Sequence, residues 1–280
     1  SSLGLFPLPD WTKDELSKLK GHQREGLISG NESLLINSVY DSAREFIIGE
    51  QQNAGIDLIV EGQLRWDDML AHPLIVHESV ESRGLVRYYD NNNFYREPVV
   101  VGELTNSGDV ARELEKTSKL VDKPSAIFPG PYTLSKLATD EYYGSEYSFI
   151  EAMGEFVLGE IQQFPNTSYL TLLEPSLVVE PPSSDQRELI VELIKTIVSK
   201  IESELVIQTY WGSLDGETYA SLVELGAGIG FDFVTENKLN LSLLEEYGVP
   251  ETTSLGVVDG QNTHIESVEE IQKMIKGILE

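Results

Sequence analysis

Eight short runs of apolar, largely β-branched residues recur along this chain, each separated from the next by a polar or amphipathic stretch. The runs are Leu3–Phe6, Ile56–Glu61, Val99–Glu103, Ser125–Phe128, Tyr169–Leu173, Val206–Thr209, Phe231–Val234 and Ser254–Val258. Such alternation is the pattern of β–α units wound around a parallel sheet. Eight strands are what a closed barrel requires, and 280 residues is an ordinary length for one. The expected fold is α/β, a single (β/α)8 TIM barrel spanning 1–280.

Between the strands the helical period shows in several places. Ile36, Val39, Ala43, Phe46 and Ile47 form one apolar face, with Gly55 where a C-terminal glycine belongs. Ile150, Met153, Val157, Ile161 and Phe164 form a second, closed by Pro165. Leu189, Ile190, Leu193, Ile194, Ile197, Val198 and Ile201 form a third, with Asp185 and Glu188 spaced like a capping box. Ser267 and Glu270 repeat that spacing before Ile271, Met274, Ile275 and Ile278. The stretch Arg65–Glu97 has no clean period and reads as an elaborated loop after the second strand, at the mouth of the barrel. There is no internal repeat or low-complexity tract.

Composition narrows the chemistry. A formal charge of −27 repels phosphate backbones and anionic lipid, which argues against nucleic-acid and membrane-surface partners. The chain has no cysteine, so disulfides, iron–sulfur clusters, thiolate zinc sites and a cysteine nucleophile are excluded. No run reaches the ~18 apolar residues of a spanning helix, and the first residues lack a basic leader. The expected location is the cytoplasm.

In barrels the working side chains project from the C-terminal strand ends. Candidate catalytic groups on that basis are Glu61, Glu103, Glu174 and Asp259; candidate substrate-binding groups are Gln63, Arg65, Asp68, Asn93, Tyr95, Tyr210 and Asn262. Arg65, Arg87 and Arg96 are possible counter-charges for buried carboxylates. Several of these have plainer readings. Glu174 can simply accept backbone hydrogen bonds, Asp259-Gly260 is a common turn, and Asp67-Asp68 can be a solvated helix start. Asn91–Asn93 beside Phe94 and Tyr95 can form a stacking surface for a flat heterocycle, or a structural loop. His22, His72, His77 and His264 show no metal-ligand spacing, and no phosphate loop or Gly-x-Ser-x-Gly elbow is present.

Seven segments in order carry a family resemblance: Ala54–Ile59, Glu61–Met69, Tyr89–Pro98, Gly130–Leu134, Leu173–Ser176, Thr209–Gly212 and Gly256–Glu266. Together they resemble cobalamin-independent methionine synthase over nearly the whole chain. That resemblance implies an α/β barrel. In the family, a C-terminal barrel holds zinc through His and Cys and transfers a methyl group from methyltetrahydrofolate to homocysteine. The zinc-binding barrel ends its sixth strand in His-x-Cys, where this chain has Gln208-Thr209-Tyr210. Its Gly-Ser becomes Gly4-Leu5, its Gly-Glu becomes Gly62-Gln63, its Asp-Glu-Pro begins with Leu173, and its last Cys has no counterpart.

Thr209-Tyr210 and Gly260-Gln261-Asn262 instead resemble the zinc-free N-terminal barrel of the long enzymes. The resemblance therefore implies a methyltransferase component that holds no metal or cofactor of its own. A methylated folate or pterin would be its co-substrate, and a separate zinc-bearing C-terminal-type barrel its partner. The alternative is an autonomous zinc-independent barrel enzyme, a methyltransferase or a relative of uroporphyrinogen decarboxylase, in which the carboxylates do acid–base work.

Overall fold

The computed structural model describes residues 5–17, 34–89, 93–260 and 265–279. The chain opens with helices α1 (Asp10–Ser17) and α2 (Leu34–Asn53). Ile36, Val39, Ala43 and Ile47 are buried as their spacing predicts and pack with Leu16 and Leu64. Phe46, expected on the same face, is 49% exposed. Gly55 follows α2 with φ of +70°, a conformation cheap only for glycine.

The stretch expected to be a loop, Arg65–Glu97, is structured. It contains the short helix α3 (His72–Ile75) and the strand β1 (Val80–Arg87), and it enters β2 (Phe94–Val100). β1 and β2 form an antiparallel hairpin that aligns Val86 with Tyr95 and Arg87 with Phe94, with a register shift between Ser82 and Leu85. β1 is mostly exposed along its length, so no alternation of apolar and polar residues announces it.

After α4 (Asp109–Thr117) the chain alternates regularly: β3 (Ala126–Pro129), α5 (Pro131–Leu137), β4 (Thr139–Asp140), α6 (Glu146–Ile161), β5 (Tyr169–Leu173), α7 (Ser176–Val179) and α8 (Ser184–Lys200). Then come β6 (Glu204–Gln208), α9 (Gly216–Val223), β7 (Gly228–Asp232), α10 (Asn237–Tyr247), β8 (Thr253–Gly256) and α11 (Val268–Leu279). No helix among the described residues is long and apolar enough to cross a membrane.

The principal sheet is parallel, in the order β3-β5-β6-β7-β8; a second sheet has the order β1-β2-β4. Five of the eight expected strands thus lie side by side. The other three differ. Ile56–Glu61 is not a strand; only Val60 pairs, through a parallel bridge to Ser125. Of the expected strand Val99–Glu103, only Val99 and Val100 are strand; they end β2, which pairs with β1 and β4. Leu3 and Gly4 lie outside the described residues, and Phe6 donates its backbone N–H to the Gly62 carbonyl at 3.0 Å.

Phe128, Leu172, Ile207, Ile229 and Phe231 face Phe156, Ile190, Ile194 and Tyr219 from the covering helices, all at most 1% exposed. Each such side chain contributes on the order of 1.5–3 kcal/mol by leaving water. The start of α8 corrects an expectation. Its cap is Ser183, in a reciprocal box with Gln186, not the Asp185–Glu188 pair. The Ser267–Glu270 box before α11 forms as expected, with Glu270 N–H donating to Ser267 Oγ and Ser267 N–H to Glu270 Oε2.

Candidate functional site

Glu174 follows β5 and is completely buried. No guanidinium among the described residues compensates it. Its Oε1 accepts the Tyr132 N–H at 3.0 Å, and its Oε2 accepts the Thr133 N–H at 2.7 Å and the Thr133 hydroxyl at 2.6 Å. These are first-turn donors of α5, which have no partner within the helix. Burial pushes the carboxyl up to about 7, against the opposing pull of those three bonds. Arg87 and Arg96 play no part: Arg87 sits over the Phe94 ring at 5.7 Å, and Arg96 is half-exposed, 3.9 Å from Asp67.

A layer of tyrosines from the hairpin lies close by. Tyr88 stacks on Tyr95 with centroids 4.3 Å apart, and Tyr95 donates to the Leu137 carbonyl at 2.9 Å. Tyr88 donates to Asp68, whose Oδ1 also accepts the N–H groups of Leu70 at 2.8 Å and Ala71 at 2.6 Å. Burial raises both partners of the Asp68–Tyr88 bond, so the phenol keeps its proton. Tyr89, with φ of +45°, bonds Ser176 through its hydroxyl. Asp68 and Tyr95 are therefore held by the protein's own groups.

Beside this layer, at the ends of β6, β7 and β8, opens a cavity of about 540 Å³. Asn93, Tyr210 and Asp259 line it, together with Met69, Trp211 and Asp232. The Tyr210 and Trp211 rings meet at 82° with centroids 4.8 Å apart. Trp211 has φ of +70°, and its N–H donates to Asp232 Oδ2 at 2.8 Å. Asp232 also takes the N–H groups of Val234 and Thr235 and the Thr235 hydroxyl. The Tyr210 hydroxyl is buried without a partner, and burial holds its pKa well above the usual phenol value.

The remaining candidates lie apart. Glu61 accepts the Gln63 N–H at 2.7 Å and has Arg44 3.9 Å from its other oxygen. Burial raises its pKa, Arg44 opposes that, and Glu113 adds to it. Arg65 reaches Glu113 at 3.2 Å and Asn37 at 2.8 Å while lying over the Tyr40 ring, so it ties α2 to α4. Gln63, with φ of +52°, has both amide atoms buried without a partner beside a void of about 10 Å³ that Glu61 and Ser125 also line. Glu103 is exposed on the loop after β2 and joins neither group. Asn262 lies outside the described residues.

Sequence reasoning missed Asp232 because the seventh strand was expected to run two residues further. The spacing Asp232-x-x-Thr235, which makes a side-chain-capped turn, is the signal that marks it.

The end of β6 tests whether zinc fits. Gln208 Oε1 accepts the Ser254 hydroxyl at 2.8 Å, and its Nε2 donates to the Thr209 carbonyl at 2.9 Å. Thr209 donates to the Gly230 carbonyl at 2.8 Å. Both side chains are committed, and the third is a protonated phenol. His72 accepts the Asp67 N–H, stacks on Trp66 and is lowered to about 4 by burial; His77 bonds Ser79 and Thr105. No three His, Cys, Asp or Glu side chains among the described residues converge as a metal site. The residues at the end of β6 do not fit zinc.

Comparison with known proteins agrees with this architecture. Residues 76–280 match the family model described as the cobalamin-independent synthase, N-terminal domain. A methionine synthase of Saccharolobus islandicus is 24% identical over 285 residues, covering 99% of this chain and 82% of the relative. One from Pyrococcus horikoshii is 26% identical over 298 residues, covering 100% and 81%. The structure of a B12-independent methionine synthase from Shewanella sp., in complex with selenomethionine, superposes with a TM-score of 0.73 at 16% identity, over 89% of this chain and 78% of that one. A methyltransferase from Methanosarcina mazei gives 0.51 at 8% identity, over 85% of each chain. These two structures share the fold.

The mixed α/β chain with its parallel sheet thus has the fold of the B12-independent methionine synthase. It belongs to the cobalamin-independent methionine synthase family, through that family's N-terminal domain.

Proposed function

We propose that this chain is the donor-binding component of a methionine synthase-type methyl transfer in the cytoplasm, with its parallel sheet closed as a (β/α)8 barrel. A separate zinc-bearing barrel supplies thiol activation and completes the site. The observation that carries this reading is the end of β6, where Gln208 and Thr209 are spent on internal hydrogen bonds beside an open cavity.

Methyl transfer to homocysteine needs a thiolate, and a free thiol has a pKa near ~8.5. Nothing among the described lining residues supports lowering that value: Asp232 and Asp259 bring negative charge, which raises it. The same lining suits a donor. Tyr210 and Trp211 offer ring surfaces and Asn93 a polar edge. The methylated ring of a folate or pterin fits this description.

The test is methionine formation from homocysteine and 5-methyltetrahydrofolate with added zinc, using this chain alone and then with a zinc-bearing barrel of the family. The expected result is no turnover alone and turnover with both. Turnover by this chain alone overturns the reading in favour of an autonomous enzyme.

A further inference from the structure

We infer that a second cavity, at the opposite end of β5 and β6 from the one lined by Tyr210 and Trp211, binds a zwitterion: a free α-amino acid with an apolar side chain. The inference goes beyond the methyl-transfer reading and does not rest on it.

This cavity, about 550 Å³ in volume, opens where α6 and α8 end and where β5 and β6 begin. Its floor is apolar. Ile161 and Leu170 are buried there, and the Phe164 ring stands edge-on to Phe128 with centroids 5.9 Å apart. One wall is stitched together. Ser203 donates its hydroxyl to the Thr167 carbonyl at 2.9 Å, and the two hydroxyls meet at 2.7 Å. These bonds tie the chain before β5 to the chain before β6, so the shape is set before a ligand arrives.

Two opposite charges share the lining, Lys200 and Glu202. They stand two residues apart, yet neither forms an ion pair with the other or with any further described residue. Lys200 is the one cation and Glu202 the one carboxylate among the described lining residues. The C-terminal ends of α6 and α8 add partial negative charge, which suits an ammonium, while Lys200 suits a carboxylate.

Charge selects the class. A simple anion would meet Glu202, two helix C-termini and a chain of formal charge −27. A simple cation would meet Lys200. A molecule that carries both charges on adjacent atoms, with no net charge, escapes both penalties, and its side chain has the apolar floor. Chemistry in α/β sheets and barrels gathers at the C-terminal strand ends. A ligand at this end is therefore an effector and not a substrate.

The experiment is an NMR titration of the intact chain at slightly acid pH, observing backbone amides, with L-leucine, N-acetyl-L-leucine and L-leucinamide. The first probe carries both charges, the second only the carboxylate and the third only the ammonium. Leucine is expected to shift the Thr167 and Ser203 signals and to bind about fivefold more tightly than either analogue, the upper end for a partly exposed ion pair. Lys200→Met should bring leucine down to the level of leucinamide, and Glu202→Gln down to that of N-acetylleucine. Both side chains are exposed, so the variants keep the fold. Equal binding of the three probes, no saturable shift at Thr167 and Ser203, or shifts centred on Trp211 instead would overturn the inference. A leucine preference that survives both substitutions overturns it too, because the charges would then play no part.

Discussion

Glu174 occupies the volume where a side chain on Gly130 would stand. A Cβ built on Gly130 overlaps the Glu174 carboxyl, although the glycine's backbone, at φ −79°, would accept any residue. The glycine is required for space and not for conformation.

Gly130→Ala should therefore displace the carboxylate from the start of α5 and free three donors at once. Overpacking and broken buried hydrogen bonds together predict a loss of roughly 2–4 kcal/mol. Urea denaturation measures it. A stability within about 0.5 kcal/mol of wild type, the range of an ordinary surface change, would show that Glu174 relocates freely.

Glu174 also makes stability depend on pH. Its folded-state value near 7 lies above the ordinary 4.5, so between these the folded chain keeps a proton that the unfolded chain has lost. Stability contributed in this way is present below the lower value and falls as pH rises through the window. The span corresponds to roughly 3 kcal/mol. In Glu174→Gln that slope should vanish. Its amide also places a donor against the N–H groups of α5, so the variant should be less stable at low pH, with the gap narrowing toward pH 7. Denaturation of both proteins from pH 4.5 to 8 tests this.

Arg44 is 1% exposed and pairs with Asp41 and Glu113, with Glu61 nearby. Arg44→Met removes the charge that offsets the burial of Glu61, at a cost of about 3–5 kcal/mol. Adding Glu61→Gln should recover part of that loss. Thermal unfolding of the single and double variants gives the coupling.

Tyr210→Phe deletes a buried hydroxyl that has no partner. In the ligand-free chain it should be neutral or stabilising by up to ~1 kcal/mol, because no bond is lost and a desolvation cost disappears. Any ligand that uses the hydroxyl should bind the variant more weakly. Calorimetry on the two proteins separates these effects.

Most of the second half of the fold was legible. From Ser125 onward β3, β5 and β6 are compact apolar runs and the long helices α6 and α8 have a face of period 3.6, because these elements bury one side against the same core, whereas the two-residue β4 carries no such signal. The hairpin was not legible. β1 leans on β2 through backbone pairing and leaves most of its own side chains in water, so its residues carry no burial pattern. For the candidate site, the structure brings Asn93, Tyr210 and Asp259 together in the lining of one cavity. Glu61 and Arg65 lie apart from it, and their neighbours on α2 and α4 come from distant stretches of chain, which sequence reading does not bring together. Glu174 shows the limit of reading charge without partners: its compensation is a helix terminus, which no cationic residue signals.

The Gln208 position also bears on what this sequence can become. Gly230 has no side chain where the Gln208 amide lies, and Ser254 points its hydroxyl at that amide. A lone change of Gln208 to histidine would abandon the Ser254 hydroxyl and alter the fit over Gly230 without yet meeting a second ligand at Tyr210. A metal centre at this strand end would therefore need Gln208 and Tyr210 to change together, along with the Ser254 and Gly230 surroundings that hold the present amide in place.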